Sequence, residues 1–92
     1  MQSCVAIIVP TYNERENISI LATRLQTILK DFVWEMVVVD DDSPDGTAEE
    51  VRILAQTMPN VRLLHRVGRR GLSSACIDGM MATQADAMVV MD

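Results

Sequence analysis

Aromatic residues are almost missing from this chain: 3% of 92 residues, one each of Trp, Tyr and Phe. Its core must therefore be aliphatic, with seven Met to fill gaps. The only cysteines, Cys4 and Cys76, are too far apart for a metal ribbon or a redox Cys-x-x-Cys. Both lie in apolar surroundings and read as reduced core thiols of a cytosolic protein. Basic residues are outnumbered, eight against thirteen acids, for a net charge of −5. That excludes a nucleic-acid surface, which needs clustered Lys and Arg. No apolar run approaches the roughly 20 residues of a membrane span. The start, MQSCVAIIVP, has no basic region and reaches Pro10 early, so no signal peptide is expected. Missing too are the glycine-built signatures. The first turn reads PTYNERE rather than G-x-G-x-x-G, and neither G-x-x-x-x-G-K-[ST] nor G-x-S-x-G occurs. These absences disfavour a dinucleotide-binding domain, a P-loop nucleotidase and a serine hydrolase. A receiver domain is disfavoured as well, because the acids follow the second and fourth strands rather than the first and third.

Hydrophobic content is 49%, enough for one folded domain and too much for a disordered chain. Cys4 to Val9 predicts a buried first strand, ended by Pro10, which has no N–H for a ladder. From Ile18 the apolar residues Leu21, Leu25, Ile28, Leu29 and Phe32 recur at helix spacing, with Asn17 as N-cap. Trp34 to Val39 is the second strand. Thr47 and Glu50 form a capping-box signature for a helix carrying Val51, Leu54, Ala55 and Met58, stopped by Pro59-Asn60. Val61 to His65 is a third strand, RVGRRG (66–71) a basic loop, Leu72 to Thr83 a helix weakened by Gly79, and Ala87 to Met91 a fourth strand. The alternation argues an α/β fold with a parallel sheet and helices on both faces. The commonest doubly wound order, 3-2-1-4, would bring the loop after Val9, the acids 40–45 and Asp92 to one crevice at the carboxyl ends of the strands.

VVVDDDSPDG (37–46) is the centre of this arrangement. Three carboxylates in a turn have an ordinary reading, since Asp and Ser bond their own backbone and Pro and Gly shape the turn. In a shared crevice they can also accept from nucleobase N–H groups or sugar hydroxyls, or hold a cation. Carboxylates repel a diphosphate unless a hard Mg²⁺ or Mn²⁺ bridges the two. With Asp92 on such a metal, the chain reads as one that handles a nucleotide-activated donor.

VPTYNERENI (9–18), VVVDDDSPDGT (37–47), GRRGLSSACIDGM (68–80) and MVVMD (88–92) fall in an order and spacing that resembles inverting glycosyltransferases of the GT-A fold. The nearest type is the dolichyl/polyprenyl-phosphate mannosyltransferases. The resemblance implies a Rossmann-like three-layer half-domain, a donor such as GDP-mannose and a lipid-phosphate acceptor. It implies donor contacts by Pro10, Tyr12 and Glu14, base recognition by Val39 and Asp41, and a metal ligand in Asp92, the first Asp of a D-x-D motif. Arg70 and Gly71 stand where the family has a Lys-Gly or Arg-Gly phosphate contact. Asp42 replaces the usual Gly, Asn or Ala. The second Asp of D-x-D is absent, so the 92 residues are expected to be a donor-binding part with no catalytic residue and little or no activity. Localisation is expected at the cytoplasmic face of a membrane, peripherally, with membrane helices left to sequence beyond residue 92. An uncovered fourth-strand edge is expected to drive self-association.

Other readings stay open. One is a nucleotide-sugar-binding or regulatory module without turnover. Another is a glucosyl or aminosugar transferase using a UDP donor. A third is a structural α/β domain with an acidic turn. Glu16 suits the helix N-terminus, His65 and Trp34 read as structural, Asp78 and Asp86 as a helix surface and a turn, and Arg69 as solvated charge.

Overall fold

The computed structural model describes residues 3–68 and 71–91. The elements are β1 (Cys4–Thr11), α1 (Arg15–Ile28), β2 (Val33–Asp40), α2 (Thr47–Thr57), β3 (Val61–His65), α3 (Leu72–Met81) and β4 (Ala87–Val90). All four strands are parallel, in the order β3-β2-β1-β4 expected from the sequence. The continuous apolar character of β1 and β2 follows from their position, because helices cover both faces. Ile7, Val9, Met36 and Val38 face α1 and α2. Their alternates Ala6, Ile8, Val37 and Val39 face α3. The result is three layers, the Rossmann-like architecture of the GT-A expectation.

Gly79 has a role opposite to the weakness its helix propensity suggests. A Cβ there would lie 2.5 Å from Ile8 Cγ2 and 3.0 Å from Val39 Cγ2. Only a glycine lets α3 lie this close to the sheet.

Several boundaries differ from expectation for identifiable reasons. β1 runs through Pro10 to Thr11. Pairing with β4 is described as far as Ile8↔Val90, and Pro10 lies alongside Val39 of β2. Helix α1 stops at Ile28, leaving Ile28 and Phe32 exposed rather than on its buried face. Helix α3 stops at Met81, and the Thr83 hydroxyl donates instead to the Glu35 carboxylate. The methionines are not uniformly core: Met36 is buried, but Met81 and Met88 are exposed. Trp34 packs against the core as expected. Both cysteines are free and half-buried; burial, aided by the Glu35 and Asp86 carboxylates, pushes the Cys4 thiol up. Among the described residues no helix is long and apolar enough to cross a membrane.

Candidate functional site

The two loops at the carboxyl ends of β1 and β2 hold each other. Asp40, fully buried, accepts from the Thr11 hydroxyl (3.0 Å) and from the Ser43 amide (3.0 Å) and hydroxyl (2.5 Å). Ser43 Oγ in turn accepts from the Asn13 amide at 2.9 Å. The Thr47 hydroxyl accepts from the Glu14 amide at 3.1 Å and donates to Asp45 Oδ1 at 2.5 Å. Asp45 Oδ2 accepts from the Arg15 amide at 3.2 Å. Three successive N–H groups at the start of α1 are thus satisfied by side chains some thirty residues away, with no capping side chain of their own. The N-cap is Glu14, not Asn17, and Asn17 donates to the Glu14 carboxylate at 3.0 Å. Thr47 is likewise not the cap of α2. That position belongs to Gly46, whose φ of 87° is left-handed. The Thr47 hydroxyl hydrogen bond holds the Asp45 carboxyl below its usual range.

Asp41 lies at the centre of a second network. Arg66, only 4% exposed, grips it through Nε–Oδ1 at 2.6 Å and Nη2–Oδ2 at 2.9 Å. The same guanidinium reaches Asp78 Oδ2 at 3.0 Å, Ser74 Oγ at 3.0 Å and the Gly71 carbonyl at 3.2 Å. The Gly71 amide donates back to Asp41 Oδ2 at 3.3 Å. A buried guanidinium is tolerated only when paired and hydrogen-bonded in this way. The Asp41 hydrogen bond raises the Arg66 pKa against the opposing effect of burial, and Asp78 adds to it.

Between these networks lies an open crevice of about 410 Å³, within the size range of small-molecule sites. Its walls include Pro10, Tyr12, Glu14, Asp41, Gly71 and Leu72. Four of the residues chosen from the sequence therefore meet in one cavity, together with Gly71. Val39 does not join them. Its side chain has no exposed surface and packs under α3 with Ala6 and Ile8. Asp42 also lies away from the crevice: it adopts a φ of 54° and its carboxylate meets His65 Nε2 at 3.0 Å. The left-handed backbone suits Asp, as it suits Asn and Gly. His65 is structural as expected, bridging Asp42 and Arg52. A second hollow of about 450 Å³ adjoins the other side of the first loop, reaching Arg24 and Met91.

Asp92, the residue assigned to the metal, lies outside the described residues, as do Arg69 and Arg70. Among the described residues no three His, Cys, Asp or Glu side chains converge as a cation site. Asp40 is spent on the loop clamp, and Asp41 holds a guanidinium.

Arg66 and the role of Asp78 escape sequence reasoning. A cation in RVGRRG resembles solvated charge, and a lone acid on a helix resembles surface. Position at the end of β3, next to the carboxyl end of β2, is the one available signal.

Over residues 6–92 the chain matches the family model described as glycosyl transferase family 2. The chain belongs to glycosyl transferase family 2. It is 47% identical over 88 residues to a dolichol-phosphate mannosyltransferase of Pyrococcus furiosus, covering 96% of this chain and 25% of that protein. It is 41% identical over 90 residues to the dolichol-phosphate mannosyltransferase of Saccharomyces cerevisiae, covering 95% of this chain and 34% of the yeast protein. A solved mannosyltransferase from Pyrobaculum calidifontis, in complex with GDP-Man and Mn²⁺, superposes with a TM-score of 0.76 at 31% identity. That match covers 96% of this family 2 chain and 26% of the other. The chain thus spans between a quarter and about a third of the length of these relatives.

Proposed function

We propose that the protein serves a mannosyltransferase that moves mannose from GDP-mannose to a polyprenyl or dolichyl phosphate, and that these 92 residues supply the donor-binding part. The observation that carries this reading is the crevice itself. Tyr12, Glu14 and Asp41 converge at the carboxyl ends of β1 and β2, where open α/β sheets take ligands, in a family 2 chain whose relatives are named as mannosyltransferases.

The residues divide the work by chemistry. Tyr12, partly exposed on the first loop, offers an aromatic face for a base. Asp41 offers carboxylate oxygens to base N–H groups, and Glu14 does the same for hydroxyls or N–H groups beside it. Pro10 closes the wall without presenting a competing donor. Asp92 would hold Mg²⁺ or Mn²⁺, which when bound offsets the charge of the diphosphate leaving group. In an inverting transfer the acceptor phosphate oxygen forms a bond to the anomeric carbon as the bond to the nucleoside diphosphate breaks. A phosphate is already ionised near neutral pH, so no protein base is required for attack. A lipid-phosphate acceptor would bring the whole protein to the cytoplasmic face of a membrane.

Calorimetric titration with GDP, UDP and their mannose and glucose derivatives, with and without Mn²⁺, tests the reading. GDP is expected to bind, and Asp41→Ala to weaken it about tenfold, the equivalent of about 1.4 kcal/mol. A UDP preference would favour a glucosyl or aminosugar donor instead, and binding of no nucleotide would overturn the proposal. The 92 residues alone are expected to show no transfer to polyprenyl phosphate; turnover by them would contradict the reading that they supply only the donor-binding part.

A further inference from the structure

Arg66 is not among the crevice-lining residues, yet its guanidinium holds two that are. Its Nε and Nη2 hold both oxygens of Asp41. Its Nη2 also donates to the carbonyl of Gly71, and its Nη1 to Ser74 and Asp78 on the helix that Gly71 caps. Gly71 itself sits at a φ of 126°, a conformation that leaves its amide free to reach Asp41 Oδ2. One planar cation therefore ties the end of β2 to the start of α3.

From this geometry we infer that Arg66 is a positioning residue for nucleotide recognition, orienting the Asp41 carboxylate toward the base and fixing the spacing between Asp41 and Gly71. The inference rests on the reading of the crevice as a donor site. The planar fork is what the role requires. A lysine keeps the charge but offers one point contact, so it cannot hold two carboxylate oxygens and a carbonyl at once. Without the fork, the guanidinium plane no longer fixes both oxygens of Asp41, and the link from Asp41 to the Gly71 carbonyl through Arg66 is lost. Recognition through Asp41 then suffers even though no atom of Arg66 touches the ligand.

A double-mutant cycle read by calorimetric titration of GDP tests this. Arg66→Lys is expected to weaken GDP about tenfold and to change the ratio of GDP to UDP affinity, which a general loosening of the fold would not do. In an Asp41→Asn background the same change is expected to add no further loss, because its effect passes through Asp41. Unchanged GDP affinity in folded Arg66→Lys, or losses that multiply in the double variant, would overturn the inference. Circular dichroism reports whether Arg66→Lys is folded. If it is not, Ser74→Ala loosens the same guanidinium without stranding a buried charge. It should weaken GDP severalfold, and unchanged affinity there counts equally against the role. If the unmodified chain binds neither GDP nor UDP, the donor-site reading fails and takes this inference with it. If it binds and the variants bind alike, only the role of Arg66 fails.

Discussion

Gly79 sets how closely α3 approaches the sheet. Replacing it with Ala would improve helix propensity by about 1 kcal/mol. The added methyl would also meet Ile8 Cγ2 at 2.5 Å, well inside contact distance, and overpacking of this kind costs about 1–3 kcal/mol. The clash involves a β-branched side chain locked in the core, so it outweighs the propensity gain. Gly79→Ala is expected to lower the urea midpoint of unfolding; a rise would show that the packing of α3 is looser than described. Asp41 shows the same dependence on surroundings. As a residue type it is simply an acceptor, but Arg66 turns it into a carboxylate of fixed direction.

Among the elements, the β1–α1 and β2–α2 loops act as one unit. PTYNER and DDDSPDGT look like two separate motifs, one for a ligand and one for a turn. In the structure the second is largely the scaffold of the first: Ser43, Asp45 and Thr47 receive the amides of Asn13, Arg15 and Glu14. This explains why local capping rules misplaced the start of α1. The partners that replace a cap there are some thirty residues distant, and a local pattern cannot show them. The clamp also has a pH signature. The Asp45 carboxyl is held below its usual range, chiefly by the Thr47 hydroxyl. A lowered folded-state pKa contributes stability that is fully present above the unfolded-state value, near 3.9, and is lost as pH falls through the folded value. Asp45→Asn is therefore expected to flatten the acid limb of the stability profile below about pH 4, measured by chemical denaturation across pH. An unchanged acid limb would remove Asp45 from the clamp.

At the scale of the whole molecule, alternation of strands and helices pointed to a parallel sheet with right-handed crossovers, and the commonest doubly wound order proved to be the one present, β3-β2-β1-β4. Topology brings the ends of β1 and β2 together, so the meeting of their loops was legible for the same reason; the choice of Pro10, Tyr12, Glu14 and Asp41 within those loops came from the family resemblance. The buried placement of Val39 was not legible. Alternation along β2 says which residues share a face, but the tight seat of α3 at Gly79 decides that this face is closed. Arg66 was hidden because burial of a cation depends on partners from three elements. Among the described residues strand β4 pairs with β1 alone, and Met88, Val89 and Val90 are all exposed. Such an edge is a template for another strand. Sedimentation of the 92 residues is expected to show association that grows with concentration, and that a charged substitution, Val89→Lys, suppresses. A monomer at all concentrations would contradict that expectation.

On the proposed reading, the crevice lined by Tyr12, Glu14, Asp41 and Gly71 takes the nucleoside diphosphate of a sugar donor. The most direct measurement is amide chemical-shift mapping of the ¹⁵N-labelled protein during addition of GDP. The largest changes are expected at Tyr12, Glu14, Asp41, Gly71 and Leu72, with the opposite end of the sheet around Glu35 and Arg62 undisturbed. Saturating GDP that leaves those crevice amides unmoved, or shifts confined to the hollow near Arg24 and Met91, would contradict it.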